Sequence, residues 1–142
     1  MRYPVVREFI PEDMLAIPFN PALEVEGTRE DLLDWGRQHK AAGPCVSMTL
    51  NGDVYASGGF RFLSPGVAEI WTTLRCNCPV GVVIAVRRQM QEWIRDYSIK
   101  VLISLVLPRW EAGQRFAEWL GFKYAQEKEM NGIEYLMYVR PS

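Results

Sequence analysis

The spacing of hydrophobic positions along this chain changes period several times, and each change marks an element. "RYPVVREF" (residues 2–9) is β-branched and aromatic enough to read as a strand, and "PEDMLAI" (11–17) places a proline and two acids where a short helix begins. A proline-interrupted connection, residues 18–27, leads into "TREDLLDWGRQHKAAG" (28–43). That segment reads as a helix, with Thr28 as N-cap, acids in the first turn, Leu32, Leu33 and Trp35 partly on one face, basic residues late and Gly43 as the stop. The pattern then shortens to period two. "PCVSMTL", "VYASGGFRFL" and "VAEIWTTL" predict three antiparallel strands, because the Asn-Gly and Pro-Gly pairs between them supply the backbone angles of tight turns. Gly58 and Gly59, inside the second of these strands, predict a bulge or a close backbone approach.

Helical spacing returns in residues 79–97, with Val83, Val86, Met90 and Ile94 about a turn apart and charges between them. The continuous apolar run "KVLISLVL", bounded by Pro108, then makes a strand–helix–strand unit, which predicts a parallel, right-handed crossover. Residues 110–120 form a further helix stopped by Gly121, and "FKYAQEKEM" and "IEYLMYV" flank an Asn-Gly turn as a closing hairpin. The order is strand, two helices, three strands, helix, strand, helix, two strands. It predicts an α+β or α/β fold with a mixed, mostly antiparallel sheet of about seven strands flanked by about four helices, and it fits neither a doubly wound sheet nor a sandwich. A length of 142 residues is that of one domain, residues 1–142.

Composition narrows the function classes. Hydrophobic residues at 49% and five tryptophans argue against disorder, and a net charge of −1 leaves no electrostatic footprint for nucleic acid. The apolar runs fall well short of the roughly 20 residues of a bilayer crossing, and the first residues lack the pattern of a signal peptide, so the expectation is a cytoplasmic protein without a membrane partner. Cys45, Cys76 and Cys78 cannot all pair with one another, which fits a reducing compartment. A zinc site at Cys76 and Cys78 would need Cys45 and the single histidine, His39, to converge on it, so packed or free thiols are expected and no metal.

Two stretches carry candidate chemistry. Alternation in "VAEIWTTL" puts Glu69, Trp71 and Thr73 on one face of a strand and Ile70, Thr72 and Leu74 on the other. Glu69 is then either an exposed or paired strand acid or a base. "RCNCPVGVVIAVRR" (75–88) is either a plain turn into a helix or a helix N-terminus that holds a phosphate.

The element order, together with "AEIWTTL", "PVGVVIAVRRQMQEWI" and "FAEWLGF", resembles the GNAT superfamily of acyl-coenzyme A N-acetyltransferases over nearly the whole chain. Within it, the "EWLGF" helix ending and the "NGIEYLMYVR" hairpin resemble small phage-encoded acetyltransferase-like proteins of the internal virion protein A type. The resemblance implies acetyl-CoA as cosubstrate and acetyl transfer to a primary amine of a protein or small molecule. It implies Glu69 as general base and a main-chain N–H around Thr73 and Leu74 on the thioester oxygen. It also implies a diphosphate loop formed by Gly81, Val82, Val83 and Ala85 with Arg88. In that loop Val80 stands at the family's Arg/Gln position and Val83 at its middle glycine. Arg75 and Arg87 either add charge there or belong to a solvated face. Ala117 occupies the place of the family's tyrosine and Trp110 that of its asparagine, so the proton for the thiolate comes either from Tyr124, Tyr135 or Tyr138, which otherwise read as core residues, or from water. Trp71 and Trp110 read as a substrate pocket or partner surface, or as core. These departures keep a second reading open, a GNAT-shaped binding module that grips a host or virion protein, and the chain is expected to be a monomer or a homodimer.

Overall fold

The computed structural model describes residues 3–17 and 29–141. The predicted connection over 18–27 and the Thr28 cap lie outside them. Eleven elements follow in the expected order: β1 (Val5–Glu8), α1 (Asp13–Ala16), α2 (Arg29–Ala42), β2 (Cys45–Leu50), β3 (Asp53–Ser64), β4 (Val67–Leu74), α3 (Val80–Asp96), β5 (Val101–Val106), α4 (Glu111–Trp119), β6 (Lys123–Met130) and β7 (Ile133–Pro141). The strands make one sheet in the order β1-β2-β3-β4-β5-β7-β6, antiparallel throughout except for β4 against β5. The Asn-Gly turns work as predicted. Asn51 and Gly52, and again Asn131 and Gly132, all take positive φ, the signature of a type I′ turn whose twist matches that of the flanking strands.

Period-two alternation sorts the sheet into two faces. Phe60, Ala68, Ile70, Leu102, Val106 and Tyr138 point to one side and pack with Met90 of α3, Ala117 of α4 and Leu120 at the α4 C-cap into the main core. The other side carries Ser47, Ser57, Arg61, Glu69 and Trp71 beneath α1 and α2. There Phe9 and Trp35 each meet the Trp71 ring edge-on, at 5.2 and 5.0 Å between centroids. α4 ends as its sequence predicts: Gly121, at φ 97°, lets the Phe122 amide reach back to the Ala117 carbonyl and the Gly121 amide to that of Glu118.

Gly59 is a close approach, and no register shift falls at Gly58 or Gly59; the irregularities lie at Met48/Thr49 and Phe62/Ser64. A Cβ on Gly59 would stand 2.6 Å from the Pro44 carbonyl oxygen and 2.9 Å from Trp71 Nε1, so the strand has room only for hydrogen under the indole. Gly59→Ala is expected to lower stability by about 1–3 kcal/mol in a denaturant titration, because backbone and a buried ring must both move.

Candidate active site

β4 and β5 pair for only four positions, from Val67↔Val101 to Ile70↔Ser104. Beyond these, β4 continues through Trp71–Leu74 with no strand partner on that side among the described residues, while β5 turns its other edge to β7 through Val106. The two parallel strands therefore part and open a gap within the sheet. The Arg75 amide donates to the Tyr55 carbonyl at 2.9 Å, which fixes the phase of the β3–β4 ladder. With period two, the main-chain groups of Thr73 and Trp71 also face β3, and those of Thr72 and Leu74 face the gap. Of the pair expected to meet a thioester oxygen, Leu74 presents its N–H there. Thr73 does not, because its amide belongs to the ladder; Thr72 takes its place.

Five residues after β4 ends, α3 begins at the same edge of the sheet. Its N-cap is Pro79, and no side chain caps the helix. The Val82 and Val83 amides both bond to the Pro79 carbonyl, at 3.0 and 3.3 Å, and the Val82 side chain is fully buried in the second core cluster. The expected anion donors Val82 and Val83 are thus committed to the helix itself. The amides left without a partner among the described residues are those of Val80 and Gly81, at the positive end of a 17-residue helix. Ala85 packs against the second cluster and, with Gly81 and Arg88, lines a groove between α3 and the β1 side of the molecule. Arg88 is exposed, but Arg87 lies over the Trp119 ring at 4.2 Å, and Arg75 donates from Nε and Nη2 to the Val54 carbonyl at 3.1 and 2.6 Å.

On the α1/α2 face, directly across β4, Glu69 is 15% exposed and bound to Arg61 of β3, Nη2 to Oε2, at 2.9 Å. The register makes them direct cross-strand partners. Arg61 Nε and Trp71 Nε1 are buried with no hydrogen-bond partner among the described residues. Above them, His39 of α2 stacks on Trp35 with centroids 3.5 Å apart and meets Trp71 edge-on at 5.4 Å. Burial pushes the His39 pKa down, the Trp35 carbonyl opposes this, and the remaining influences are the Arg61 charge, which lowers it, and the Glu69 charge, which raises it.

No family model and no curated protein sequence matches the chain. Solved structures do. A Bordetella pertussis protein assigned to the GNAT acetyltransferases superposes with a TM-score of 0.75 at 15% identity, covering 99% of this chain and 96% of its own. The GNAT-family acetyltransferase from Bacillus anthracis gives 0.73 at 14%, covering 99% and 95%. The structure of AAC(6')-Ib in complex with paromomycin and acetyl-CoA gives 0.72 at 15%, covering 99% and 94%. The chain has the GNAT fold.

Within that fold the expected site residues divide. Glu69 and Leu74 lie on β4, Glu69 in its paired stretch with its side chain on the α1/α2 face and Leu74 with its main chain toward the gap, while Gly81 stands at the start of α3 in the groove on the β1 side. Trp71 and Trp110 are not brought together. Trp71 is 6% exposed on the α1/α2 face, whereas Trp110 packs against the main core on the other side, its ring lying where a Cβ on Gly113 would be. Strand parity and helix order separate them, so they form no common pocket. Ala117 is buried in the main core, and Tyr138 lies on the same face of the sheet, opposite Ser104 of β5. Burial, with Glu118 and Tyr124 nearby, raises the Tyr138 pKa and keeps the phenol protonated. The cysteines stay apart from this chemistry. Cys78 is half-buried, its pKa pushed up to about 11 by burial, and no cluster able to hold a metal occurs among the described residues. Sequence reasoning missed Arg61 as the partner of Glu69. Counting outward from the Pro-Gly turn, the signal was present but depended on the irregularity at Phe62/Ser64. His39 had no signal along the chain.

Proposed function

We propose that this protein is an acetyl-CoA-dependent N-acetyltransferase acting on a primary amine. The observation that carries the reading is the parting of β4 from β5 beside an uncapped helix N-terminus, with a carboxylate on the opposite face of the same strand. The presence of acetyl-CoA in the AAC(6')-Ib structure, which shares the fold, supports it. The Val80 and Gly81 amides and the positive end of α3 suit a diphosphate, which needs donors more than specific side chains. The gap suits a narrow thioester arm, whose bound form supplies an activated acyl group. The Thr72 and Leu74 amides face the place where charge develops on the acyl oxygen and stabilise it without reorganising. Glu69, held in place by Arg61, draws the acceptor ammonium to the strand and takes up its proton, directly or through water. Tyr138 supplies a proton to the departing thiolate. Three free thiols suit a reducing compartment, and we place the protein in the cytoplasm.

Proline at position 80 isolates the helix-terminus contribution. Pro79 has ψ 146°, which a following proline requires, and a proline in the first helical position removes an amide without breaking the helix. Val80→Pro is expected to weaken acetyl-CoA binding about tenfold in calorimetric titration, the loss of one hydrogen bond to a charged group, with the melting temperature unchanged. Equal affinity for both proteins would remove the diphosphate site from α3.

A second reading is favoured by Trp71. Phe9, Trp35 and His39 pack around it and fill the face over β4 that an acceptor would approach. On that reading the protein keeps the fold and grips another protein without turnover, and calorimetry shows no acetyl-CoA binding up to millimolar concentration.

A further inference from the structure

His39 lies outside the machinery assigned above, yet its ring is oriented from three directions. A carbonyl can only accept, so the 2.8 Å contact between His39 Nδ1 and the Trp35 carbonyl places the proton of the neutral ring on Nδ1. Nε2 is then the nitrogen that can take a proton. The Trp35 face, at 3.5 Å between centroids and 20° between planes, and the Trp71 edge stop the ring from turning over. The imidazole is half-buried at the rim, and Glu69, at 15% exposure, is deeper. Glu69 stands two residues before Trp71 on the same face of β4, so the ring that His39 meets at 5.4 Å is its neighbour, and the Glu69 and Arg61 charges both act on the imidazole.

We propose that His39 is the proton relay of the acceptor site, passing to solvent through Nε2 the proton that Glu69 removes from the acceptor ammonium. This rests on the transferase reading and extends it to a residue on a different element. Glu69 accepts one proton from R–NH3+. The freed amine forms the N–C bond to the acyl carbon, the C–S bond breaks, Tyr138 protonates the thiolate, and the second nitrogen proton restores Tyr138. The first proton remains on a carboxyl shielded from water, where it would block the next cycle. A neutral imidazole is a base able to take up that proton at Nε2 and pass it on, which restores the carboxylate for the next acceptor. Depression of the His39 pKa by burial keeps the ring neutral and ready near pH 7 and eases the onward release of the proton. Other titratable or charged groups on the surrounding elements are already engaged or neutral. Lys40 pairs with Glu8 at 3.3 Å, Arg7 with Asp13 at 2.8 Å, and burial raises the Cys45 pKa.

The chain contains one histidine, so every imidazole signal belongs to His39. Nitrogen-15 NMR of the labelled protein is expected to show the proton on Nδ1 in the neutral ring and a titration midpoint that falls in Glu69→Gln, where the favourable charge is gone. A proton on Nε2, or a midpoint indifferent to Glu69→Gln, overturns the proposal whether or not the protein turns over. Turnover provides the second arm, with acetyl-CoA and putrescine, a tripeptide with a free N-terminus and kanamycin as probes, followed by thiol release from pH 5 to 9. His39→Asn is expected to lower kcat by about 10–100-fold with KM changed less than twofold, and to lose the acid limb of the profile. Added imidazole is expected to restore activity to His39→Gly. Transfer with an unaltered profile and no rescue overturns the relay and leaves the transferase standing. Absence of transfer by the unmodified protein to every probe, with no acetyl-CoA bound, takes away the transferase reading and the relay together.

Discussion

Glu69→Gln is expected to reduce kcat/KM for acetyl transfer by about 10²-fold or more, the range seen when a general base is removed, while acetyl-CoA affinity stays within twofold. Glutamine keeps the size of the side chain and an oxygen that can accept from Arg61, so the local frame survives and only the charge and the basic site are lost. The effect should be larger in kcat than in KM for the coenzyme, because Glu69 lies on the face of β4 opposite the core and away from the helix terminus that suits the diphosphate. A purely structural ion pair makes a different prediction. Arg61 Nε is already buried without a partner among the described residues, so deleting the carboxylate would then show itself as lost stability with normal turnover. Measuring both rates and melting temperature for Glu69→Gln and Arg61→Met separates the two roles, and unchanged turnover in Glu69→Gln would end the assignment of Glu69 as base.

Asp13→Ala is expected to be the most destabilising single change, at about 3 kcal/mol by denaturant titration. The carboxylate is 4% exposed and accepts from both Arg7 terminal nitrogens at 2.8 Å, from the Ile10 amide at 3.0 Å and from Ser47 Oγ at 2.6 Å. Ser47 Oγ lies 2.7 Å from Ser57 Oγ, so one carboxylate ties β1, α1, β2 and β3 together beneath the site. Without it, the buried Ser47 hydroxyl, the Ile10 amide and the Arg7 guanidinium lose their acceptor. Burial alone would raise the Asp13 pKa. The hydrogen bonds from Arg7, Ser47 and Ile10, with the Arg7 charge, outweigh it and hold the carboxyl below its usual range. The sign follows by linkage: the folded state binds this proton more weakly than the unfolded chain, so the stabilisation is present above about pH 4 and is lost as pH falls through the folded value. His39 acts in the same direction from a higher starting point. Its pKa is also lowered on folding, so stability declines as pH drops below about 6.5. Denaturation midpoints from pH 7 to 3 should show two descending phases in the unmodified protein. His39→Asn should lack the first and Asp13→Ala the second.

The seven strands and four helices were legible in the chain because their signals are local. Asn51-Gly52 and Asn131-Gly132 demand positive φ, Gly121 ends α4 in the way a helix needs, and alternation in "VAEIWTTL" already put Glu69 and Trp71 on a common face. The position of Gly81 at the start of α3 was legible for the same reason, since a proline before a helical period marks a first turn.

Which of these groups share a site was a different matter. Thr73 and Leu74 are neighbours in the chain, yet only the phase of the β3–β4 ladder decides whose amide faces the gap, and that phase rests on pairing with a strand some twenty residues away. Trp71 and Trp110 look alike as aromatic positions, but the sheet lies between them. Arg61 meets Glu69 through register, and His39 meets Trp71 through the packing of α2 on the sheet, a contact made across about thirty residues of chain. The amino-acid sequence by itself determined the elements, their order and the faces of each strand, because dihedral preference and hydrophobic period act within a few residues. The tertiary structure alone decided which donors are left unsatisfied and which acids and bases face one another, because hydrogen-bond partners and charge separations are set by how distant segments pack.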